Sequence, residues 1–313
     1  MQKSVLGKTG ITVSRLCFGT LTMSPMQRNL KPSEGARLLL LAYDRGVNFL
    51  DTAEIYDNYE HIKLALKERP DYVVSTKCYA YDEKTALESW EKSVRSLGRE
   101  YIDIFMLHEQ ESEHTLRGHK KAIAFFQKKK EQGYIGALGM STHFIAGVEG
   151  ALKHPLMDII HPIFNEYGLG IVDGTIEQMQ EIVQKCYAAG MGVLAMKPLG
   201  GGHLISRREQ AFDFVLSKPY IHSVAMGMQS AAEVEYNCAL CNGESTAPFE
   251  KSIDMAKRTL LIQNWCEGCG KCERACKNNA ITLINGKATV DMSKCILCGY
   301  CAPGCPQFCI KVI

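Results

Sequence analysis

Residues 1 to about 242 alternate short apolar runs with amphipathic segments of helical period. Two short runs, 4–6 and 11–13, flank Gly7-Lys8-Thr9-Gly10 and predict a hairpin. Eight further runs are mostly continuously apolar, which is typical of parallel strands that are covered on both faces. These runs span 15–19, 47–51, 72–77, 102–108, 135–141, 157–164, 192–197 and 221–227.

Amphipathic segments at 33–45, 84–97, 120–132 and 175–189 separate the apolar runs, and each ends at a glycine, the usual helix stop. Each strand-plus-helix unit takes about 30 residues, the size of a βαβ repeat. The pattern therefore predicts a (β/α)8 TIM barrel. An open doubly wound sheet is the alternative, but no Gly-x-Gly-x-x-Gly follows the first strand.

The polar stretch 243–252, which contains Pro248, predicts a linker. We therefore expect a barrel over 1–250 and a small α+β domain over 251–313. Nine of the 14 cysteines lie in 266–313. The start of the chain has no apolar segment typical of a secretory signal, which favours a cytoplasmic, reducing environment and metal sites over disulfides.

The cysteine-rich segment repeats itself with an offset of 29 residues, and each half has the spacing C-x2-C-x2-C-x3-C. That spacing is typical of bacterial iron–sulfur proteins with two clusters. Two structural zinc sites are the alternative, although zinc sites usually pair their cysteines differently. The segment resembles bacterial-type ferredoxins with two [4Fe-4S] clusters. The resemblance implies one cluster on Cys266, Cys269, Cys272 and Cys305, and the other on Cys295, Cys298, Cys301 and Cys276.

Charge and hydropathy give no support for a nucleic-acid or a membrane partner. The net charge is +2, which gives no argument for a nucleic-acid partner, and no apolar stretch is long enough to span a membrane. Residues from 255 onward carry a net charge of +5, against −3 for the rest. Two oxidised clusters would roughly cancel that excess, so the basic residues indicate local charge balance.

Four polar residues follow consecutive predicted strands: Asp51, then Tyr56, Lys77 and His108. Singly, each fits an ordinary structural role. Together they lie at the C-terminal face, where barrel enzymes carry out chemistry. We expect the Lys77 ammonium to lower the pKa of Tyr56 so that it serves as a proton donor, with Asp51 holding the lysine. A neutral His108 would orient a substrate oxygen.

The barrel region resembles the aldo/keto reductases over residues 4 to about 240. The resemblance rests on LGKTG at 6–10, LCFGT at 16–20, GVNFLDTAEIY at 46–56, STK at 75–77, IDIFMLH at 102–108 and IGALGMS at 135–141. It implies hydride transfer between NAD(P)H and a carbonyl or alcohol substrate, with Tyr56 as the acid. The whole chain resembles the branch of that family with a C-terminal ferredoxin domain, whose clusters would carry electrons to or from the site or a redox partner.

The resemblance also implies nucleotide contacts, and a glycine-rich loop at 200–202 is placed to approach a pyrophosphate. The implied contact residues are Gly19, Thr20, Ser141, His161, Lys197, Leu199, Gly227, Ser230, Glu233 and Asn237. The family usually has a glutamine where His161 stands, and often has an aromatic ring where Met196 stands. NADPH-using members often have an arginine at the position of Glu233. Since no Lys or Arg lies between Gly227 and Asn237, we expect NADH to be favoured, with Lys197, Arg207 and Arg208 as alternative cations for a 2′-phosphate.

Two other functions remain open at this point. A barrel enzyme could take electrons from the clusters without a nicotinamide, or the barrel could only dock a redox partner. Cys238 and Cys241 form a further C-x2-C, for which a structural role is favoured over a thiol or metal role.

Overall fold

The computed structural model describes residues 1–254 and 258–313. A hairpin of β1 (Lys3–Val5) and β2 (Thr12–Ser14) comes first. The next strands are β3 (Leu16–Gly19), β4 (Phe49–Asp51), β5 (Val73–Cys78), β6 (Ile102–Leu107), β7 (Ile135–Thr142), β8 (Ile159–Pro162), β9 (Gly192–Met196) and β10 (Ser223–Gly227). The helices between and after them are α1 (Pro32–Asp44), α2 (Tyr59–Glu68), α3 (Glu83–Leu97), α4 (Glu113–Gly118), α5 (Lys120–Glu131), α6 (Ile145–Lys153), α7 (Ile176–Ala188), α8 (Arg208–Leu216), α9 (Ala231–Asn242) and α10 (Ala247–Asp254).

Strands β3 to β10 form a closed parallel barrel in which β10 pairs with β3, so the (β/α)8 prediction is confirmed and the open sheet is excluded. No predicted strand or helix bound differs from the structure by more than two residues. The β1–β2 hairpin covers the N-terminal end of the barrel, where the Lys8 amide donates to Gly190 O at 2.9 Å. Gly7 is required there, because a Cβ would lie 2.4 Å from the same carbonyl oxygen.

Helix starts and stops follow local chemistry. Asp82 caps α3 by accepting a hydrogen bond from the Thr85 amide at 2.8 Å, and Gly98 ends that helix with φ at +68°. A glycine is favoured at such a left-handed position because it has no Cβ. Thr175 caps α7 in the same manner through the Gln178 amide.

The prediction of a linker at 243–252 is wrong in part, because α10 occupies most of this stretch and packs against α9. Pro248 does not prevent this helix, because a proline is tolerated in the first turn, where its missing N–H has no intrahelical partner. Phe249 and Ile253, one turn apart, place apolar side chains on the same helix face, and Ile253 is buried. Composition had suggested a loop, whereas this apolar pair favours a packed helix.

The C-terminal unit contains β11 (Leu260–Ile262), α11 (Lys271–Ala275), β12 (Ile281–Ile284), β13 (Lys287–Val290) and β14 (Ile310–Val312). β11 pairs with β14 and β12 with β13, both antiparallel, around a separate small core that includes several of the cysteines. This arrangement confirms the α+β prediction.

The C-terminal unit lies against the C-terminal end of the barrel. His203, in the loop after β9, approaches Ile310 O at 3.0 Å through Nε2. Gly202 has φ at +93°, and a Cβ there would lie 2.1 Å from Val312 O. Strand β14 is therefore seated on the loop that follows β9, at the end of the barrel where catalytic groups are expected.

Candidate active site

Asp51 and Lys77 form a buried ion pair at the ends of neighbouring strands β4 and β5. The Lys77 Nζ lies 2.8 Å from both Asp51 carboxylate oxygens and donates to Thr52 O at 2.7 Å. Both side chains are almost fully buried. Burial by itself would raise the pKa of Asp51, but Lys77 and His161 hold it well below its usual range. The Asp51 carboxylate is thus ionised, and the two side chains hold each other in place.

Tyr56 lies on a short 3₁₀ turn, Glu54–Tyr56, just beyond β4. The Lys77 Nζ is 5.3 Å from the centre of the Tyr56 ring, and the His108 ring centre is 5.8 Å away. Burial, together with the charges of Asp51 and Glu109, raises the pKa of Tyr56 well above its usual value. The expected lowering of that pKa is therefore not found, because Lys77 directs its charge at Asp51 and Thr52. Tyr56 keeps its proton, as a proton donor must.

His108 follows β6 and is buried beside Tyr56. Burial and the charge of Lys77 hold its pKa well below the usual value, so the ring is neutral. Tyr79 stacks on it with ring centres 4.7 Å apart, and the Tyr79 hydroxyl donates to Glu109 at 2.6 Å. Among the described residues, His108 Nδ1 has no hydrogen-bond partner, which leaves one buried polar atom unsatisfied.

His161, at the end of β8, uses both ring nitrogens within the protein. Its Nδ1 is 2.6 Å from Leu194 O, and its Nε2 is 3.5 Å from Asp51 Oδ2. His161 therefore supports Asp51 in addition to lining the cleft described next.

A deep cleft opens at this end of the barrel and contains about 1130 Å³ of space, including its mouth. Its lining includes nine of the residues predicted as catalytic or nucleotide-binding: Gly19, Asp51, Tyr56, His161, Lys197, Leu199, Gly227, Glu233 and Asn237. Polar groups from β4, β8, β9 and α9 thus converge on one cavity, as expected of a ligand site.

Three predicted nucleotide contacts have structural partners and do not line this cleft. The Thr20 hydroxyl donates to Asp51 O at 3.0 Å, and the Ser141 hydroxyl accepts from the Glu109 amide at 2.9 Å. Ser230 caps α9 by accepting from the Glu233 amide at 3.3 Å. Lys77 and His108 are likewise absent from the lining, and lie beneath and beside Tyr56.

The eight predicted cluster cysteines surround two further cavities. One is lined by Cys266, Cys269, Cys272 and Cys305, together with Cys309, and the other by Cys276, Cys295, Cys298 and Cys301. Each cavity therefore includes three cysteines of one repeat and the fourth cysteine of the other. Gly268 fits only without a side chain, since a Cβ would lie 2.0 Å from Gly286 O.

Backbone amides also point at these sulfurs. Ala280 N lies 3.3 Å from Cys276 Sγ, and Ala288 N lies 3.5 Å from Cys266 Sγ. Such hydrogen bonds stabilise the charge of sulfurs that hold an iron–sulfur cluster. Cys309 is buried and places its sulfur 3.3 Å from that of Cys305.

The C-x2-C at Cys238 and Cys241 differs from the other cysteine pairs. Burial raises the pKa of each thiol to about 12, so both stay protonated and unreactive near neutral pH. This supports the structural role. Within residues 1–254 and 258–313, no three His, Cys, Asp or Glu side chains converge closely enough for a single metal ion. Among the helices described, none is long and apolar enough to cross a membrane.

Comparison with known proteins yields two family matches. Residues 15–219 match the model of the aldo/keto reductase family, which is more than half of the chain. The chain belongs to the aldo/keto reductase family. Residues 265–309 of this aldo/keto reductase match a 4Fe-4S dicluster domain.

Its relatives support the same assignment. An L-galactose dehydrogenase of Arabidopsis thaliana is 24% identical over 75% of this chain and 86% of its own length. An NADH-specific methylglyoxal reductase of Escherichia coli is 28% identical over 65% of this chain and 69% of its own. The solved holo form of an aldo-keto reductase from Bacillus halodurans is 21% identical, covers 81% of this chain and 95% of its own, and superposes with a TM-score of 0.66.

Sequence reasoning missed part of the cleft of this aldo/keto reductase. Arg258, Lys311, Val312 and Ile313 also line it, and all four come from beyond the barrel. Arg258 Nη2 lies 2.8 Å from Glu233 Oε1, so the carboxylate expected to repel a 2′-phosphate is paired with a cation. The only feature of the sequence that could have indicated these cleft residues is Lys311, a lysine in the otherwise apolar run Ile310–Ile313.

The glycine-rich loop also has a second purpose. A Cβ on Gly201 would lie 3.0 Å from Lys311 Cδ, and one on Gly202 would strike Val312 O. Because they have no side chain, these glycines allow β14 to pack closely against the loop. The predicted contact with a pyrophosphate did not account for this role.

Proposed function

We propose that this aldo/keto reductase interconverts a carbonyl and an alcohol at Tyr56, with a nicotinamide nucleotide in the cleft and two [4Fe-4S] clusters in the C-terminal domain. The observation that carries the proposal is the buried Lys77–Asp51 pair, 2.8 Å apart, next to Tyr56 and His108 at the C-terminal end of the barrel. A fixed charge pair next to a protonated phenol is suited to general acid catalysis.

Each residue has a distinct task. Tyr56 gives its proton to the developing alkoxide oxygen during reduction and takes it back during oxidation. Lys77 lies beside the Tyr56 ring, and Asp51 and the Thr52 carbonyl keep its ammonium in place. Neutral His108 carries one ring N–H, and its Nδ1 has no partner among the described residues, so the ring can donate a hydrogen bond that orients the carbonyl oxygen.

The cleft fits an extended nucleotide. Tyr56, Asp51 and Met196 lie in its lining together with Glu233 and Arg258, so the cleft joins the reacting groups to a charged pair. Bound there, a nicotinamide nucleotide would supply or accept the hydride. An NADH-specific reductase among the relatives supports this type of coenzyme, and the Arg258–Glu233 pair bears on the choice between NADH and NADPH.

The two cysteine cavities fit two clusters, with the ligand sets exchanged between the repeats. Clusters of this type carry single electrons. In this role the cysteines bind iron, the small residues admit the cluster, and the surrounding Lys and Arg offset its negative charge.

The experiment is the Tyr56→Phe variant, assayed anaerobically with a panel of aldehydes and ketones and with both nucleotides. Turnover should fall by about 10²–10⁴-fold, the usual loss when a general acid is removed. Tyr187→Phe, at an exposed tyrosine of α7, is the matched control and should be unaffected. Nucleotide affinity should stay near the wild-type value in both variants. Unchanged turnover in Tyr56→Phe would contradict the proposal.

A further inference from the structure

Two lysines, one from each part of the molecule, meet at the ring of Phe308. Lys197, directly after β9, places its Nζ 5.2 Å from the ring centre. Lys311, in β14, places its Nζ 3.2 Å from the same centre. Phe308 is buried, and the His143 ring packs edge-on against it at 5.7 Å. The barrel and the C-terminal domain thus bring two positive charges to one place.

Neither lysine is paired with a carboxylate among the described residues. The Lys197 Nζ lies 2.6 Å from His143 Nε2, and the Lys311 Nζ donates to Phe308 O at 2.5 Å. Burial lowers the pKa of Lys197 to about 8, and it lowers the pKa of Lys311 further below the usual lysine value. Lys311 is buried and Lys197 is half-buried. A cation without a counter-ion is costly in such surroundings, so two of them at one ring call for an explanation.

Both side chains line the cleft that contains Tyr56. Lys197 does so from a strained backbone, with φ at +58°, a conformation that L residues adopt rarely. A charge without a carboxylate partner and a strained backbone in the same residue favour a ligand-binding role over a packing role.

The two lysines share the cleft with the reacting groups. Lys197 directly follows β9, which pairs with the strand that carries His161, and its Nζ lies 2.6 Å from His143, just after β7. By contrast, the Arg258–Glu233 pair is placed at the start of α9, on a different part of the lining. An anion held by Lys197 and Lys311 would therefore lie in the same cleft as Tyr56.

We propose that Lys197 and Lys311 form a subsite for an anionic group, a carboxylate or a phosphate, on a molecule bound in the cleft. If the proposed function holds, the anion belongs to the substrate, which is then a carbonyl compound with a carboxylate or phosphate. The other source of the same chemistry is a phosphate of the nucleotide. The subsite is complete only when the C-terminal domain is seated on the barrel, because that domain supplies Lys311.

The test measures binding, not turnover. Oxamate, a small carboxylate, and inorganic phosphate are titrated into the anaerobic, cluster-loaded protein by calorimetry, with uncharged oxamide as the reference ligand. Lys197→Met and Lys311→Met remove one charge each and keep an apolar stem. Lys218→Met is the matched control, since Lys218 also lies over a phenylalanine ring, at 4.5 Å from Phe214, but outside the cleft lining.

Each of the two cleft variants should weaken oxamate or phosphate binding by about tenfold or more, the usual effect of losing a charge-assisted hydrogen bond. Oxamide binding and the Lys218→Met variant should not change. If nucleotide affinity also stays the same, the anion belongs to the substrate, and the preference for keto acids over their esters should fall in parallel. If nucleotide affinity falls equally, the anion is a nucleotide phosphate.

Wild-type anion affinity in both cleft variants would overturn the subsite. Lys311 lies six residues after Cys305 and could instead offset the charge of a cluster, in which case Lys311→Met would lose iron. Lys197→Met then decides the question, because Lys197 is a barrel residue remote from the cysteines in sequence. Intact anion binding in that variant would overturn the proposal, and weakened binding would support it. Neither outcome depends on the Tyr56→Phe result.

Discussion

The barrel site and the cysteine-rich domain assemble their reactive groups in opposite ways. In the barrel, Asp51 and Lys77 lie 26 residues apart and meet only because two parallel strands end side by side. In each proposed ligand set, three of the four cysteines come from one run of seven residues, and only the fourth comes from the other repeat. The barrel site therefore depends on the whole fold, whereas each cysteine site depends on local spacing and one distant residue.

The largest effect is expected from that distant cysteine. Cys305→Ala should abolish the cluster near Cys266, Cys269 and Cys272, and reduce the iron content from about eight atoms per chain to about four. Iron analysis and EPR of anaerobically reconstituted protein measure this. Cys309→Ala is the matched control, because its sulfur lies 3.3 Å from that of Cys305 without belonging to the proposed ligand set. Equal iron loss in both variants, or zinc in place of iron, would refute the crossed assignment.

In the barrel, Lys77→Met should lower the free energy of unfolding by about 3–5 kcal/mol, since it leaves a buried carboxylate without its partner. The double variant Asp51→Asn/Lys77→Met should recover most of that stability but not the activity. Denaturant unfolding measures the first effect, and turnover measures the second. A double variant that is as unstable as the single one would show that the charge pair is not the reason for the loss.

A smaller effect is expected at the far end of the cleft. Arg258→Ala should expose Glu233 and weaken NADPH binding relative to NADH by about tenfold, which corresponds to about 1.4 kcal/mol. Comparing both dissociation constants in wild type and variant tests this. Arg207→Ala, whose guanidinium pairs with Glu166 outside the cleft lining, serves as the control. An unchanged ratio of the NADPH and NADH dissociation constants would show that the Arg258–Glu233 pair does not contact the nucleotide.

The smallest effect concerns pH. The pKa of Tyr56 is raised and that of His108 is lowered, so neither group changes protonation between about pH 7 and pH 9. The turnover number for carbonyl reduction should therefore show no step from either group in this range. A fall in turnover centred below about pH 9 that is absent from Tyr56→Phe would show that Lys77 lowers the tyrosine pKa after all.

Sequence reasoning located the groups that depend on strand order or on local spacing. Asp51, Lys77 and His108 were predictable because each stands at the end of an apolar run. The cysteine sets were predictable because the spacing C-x2-C-x2-C-x3-C is typical of proteins with two iron–sulfur clusters. The cation beside Glu233, the wall formed by Lys311 and the helix over Ala247–Asp254 were not predicted. The first two features depend on how the C-terminal domain sits on the barrel, which no pattern within either segment records. The helix follows from the apolar pair Phe249 and Ile253, which composition alone did not take into account.

The tyrosine pKa shows the same limit at atomic scale. The sequence places a lysine near Tyr56, but only the structure shows that its ammonium is directed at Asp51 and Thr52, while burial and negative charges act on the phenol. Whether the pKa of a buried tyrosine rises or falls depends on where the neighbouring charges lie, to within a few ångströms.

The most direct test of the central claim follows the hydride. The protein is supplied anaerobically with reduced nucleotide carrying deuterium at C4, one stereoisomer at a time, and the alcohol product is analysed by mass spectrometry. The account predicts one deuterium on the former carbonyl carbon from one stereoisomer only, formed far more slowly by Tyr56→Phe. A product free of label with both stereoisomers, formed at an undiminished rate when only a cluster reductant is present, would show that the barrel runs on cluster electrons and would contradict the account.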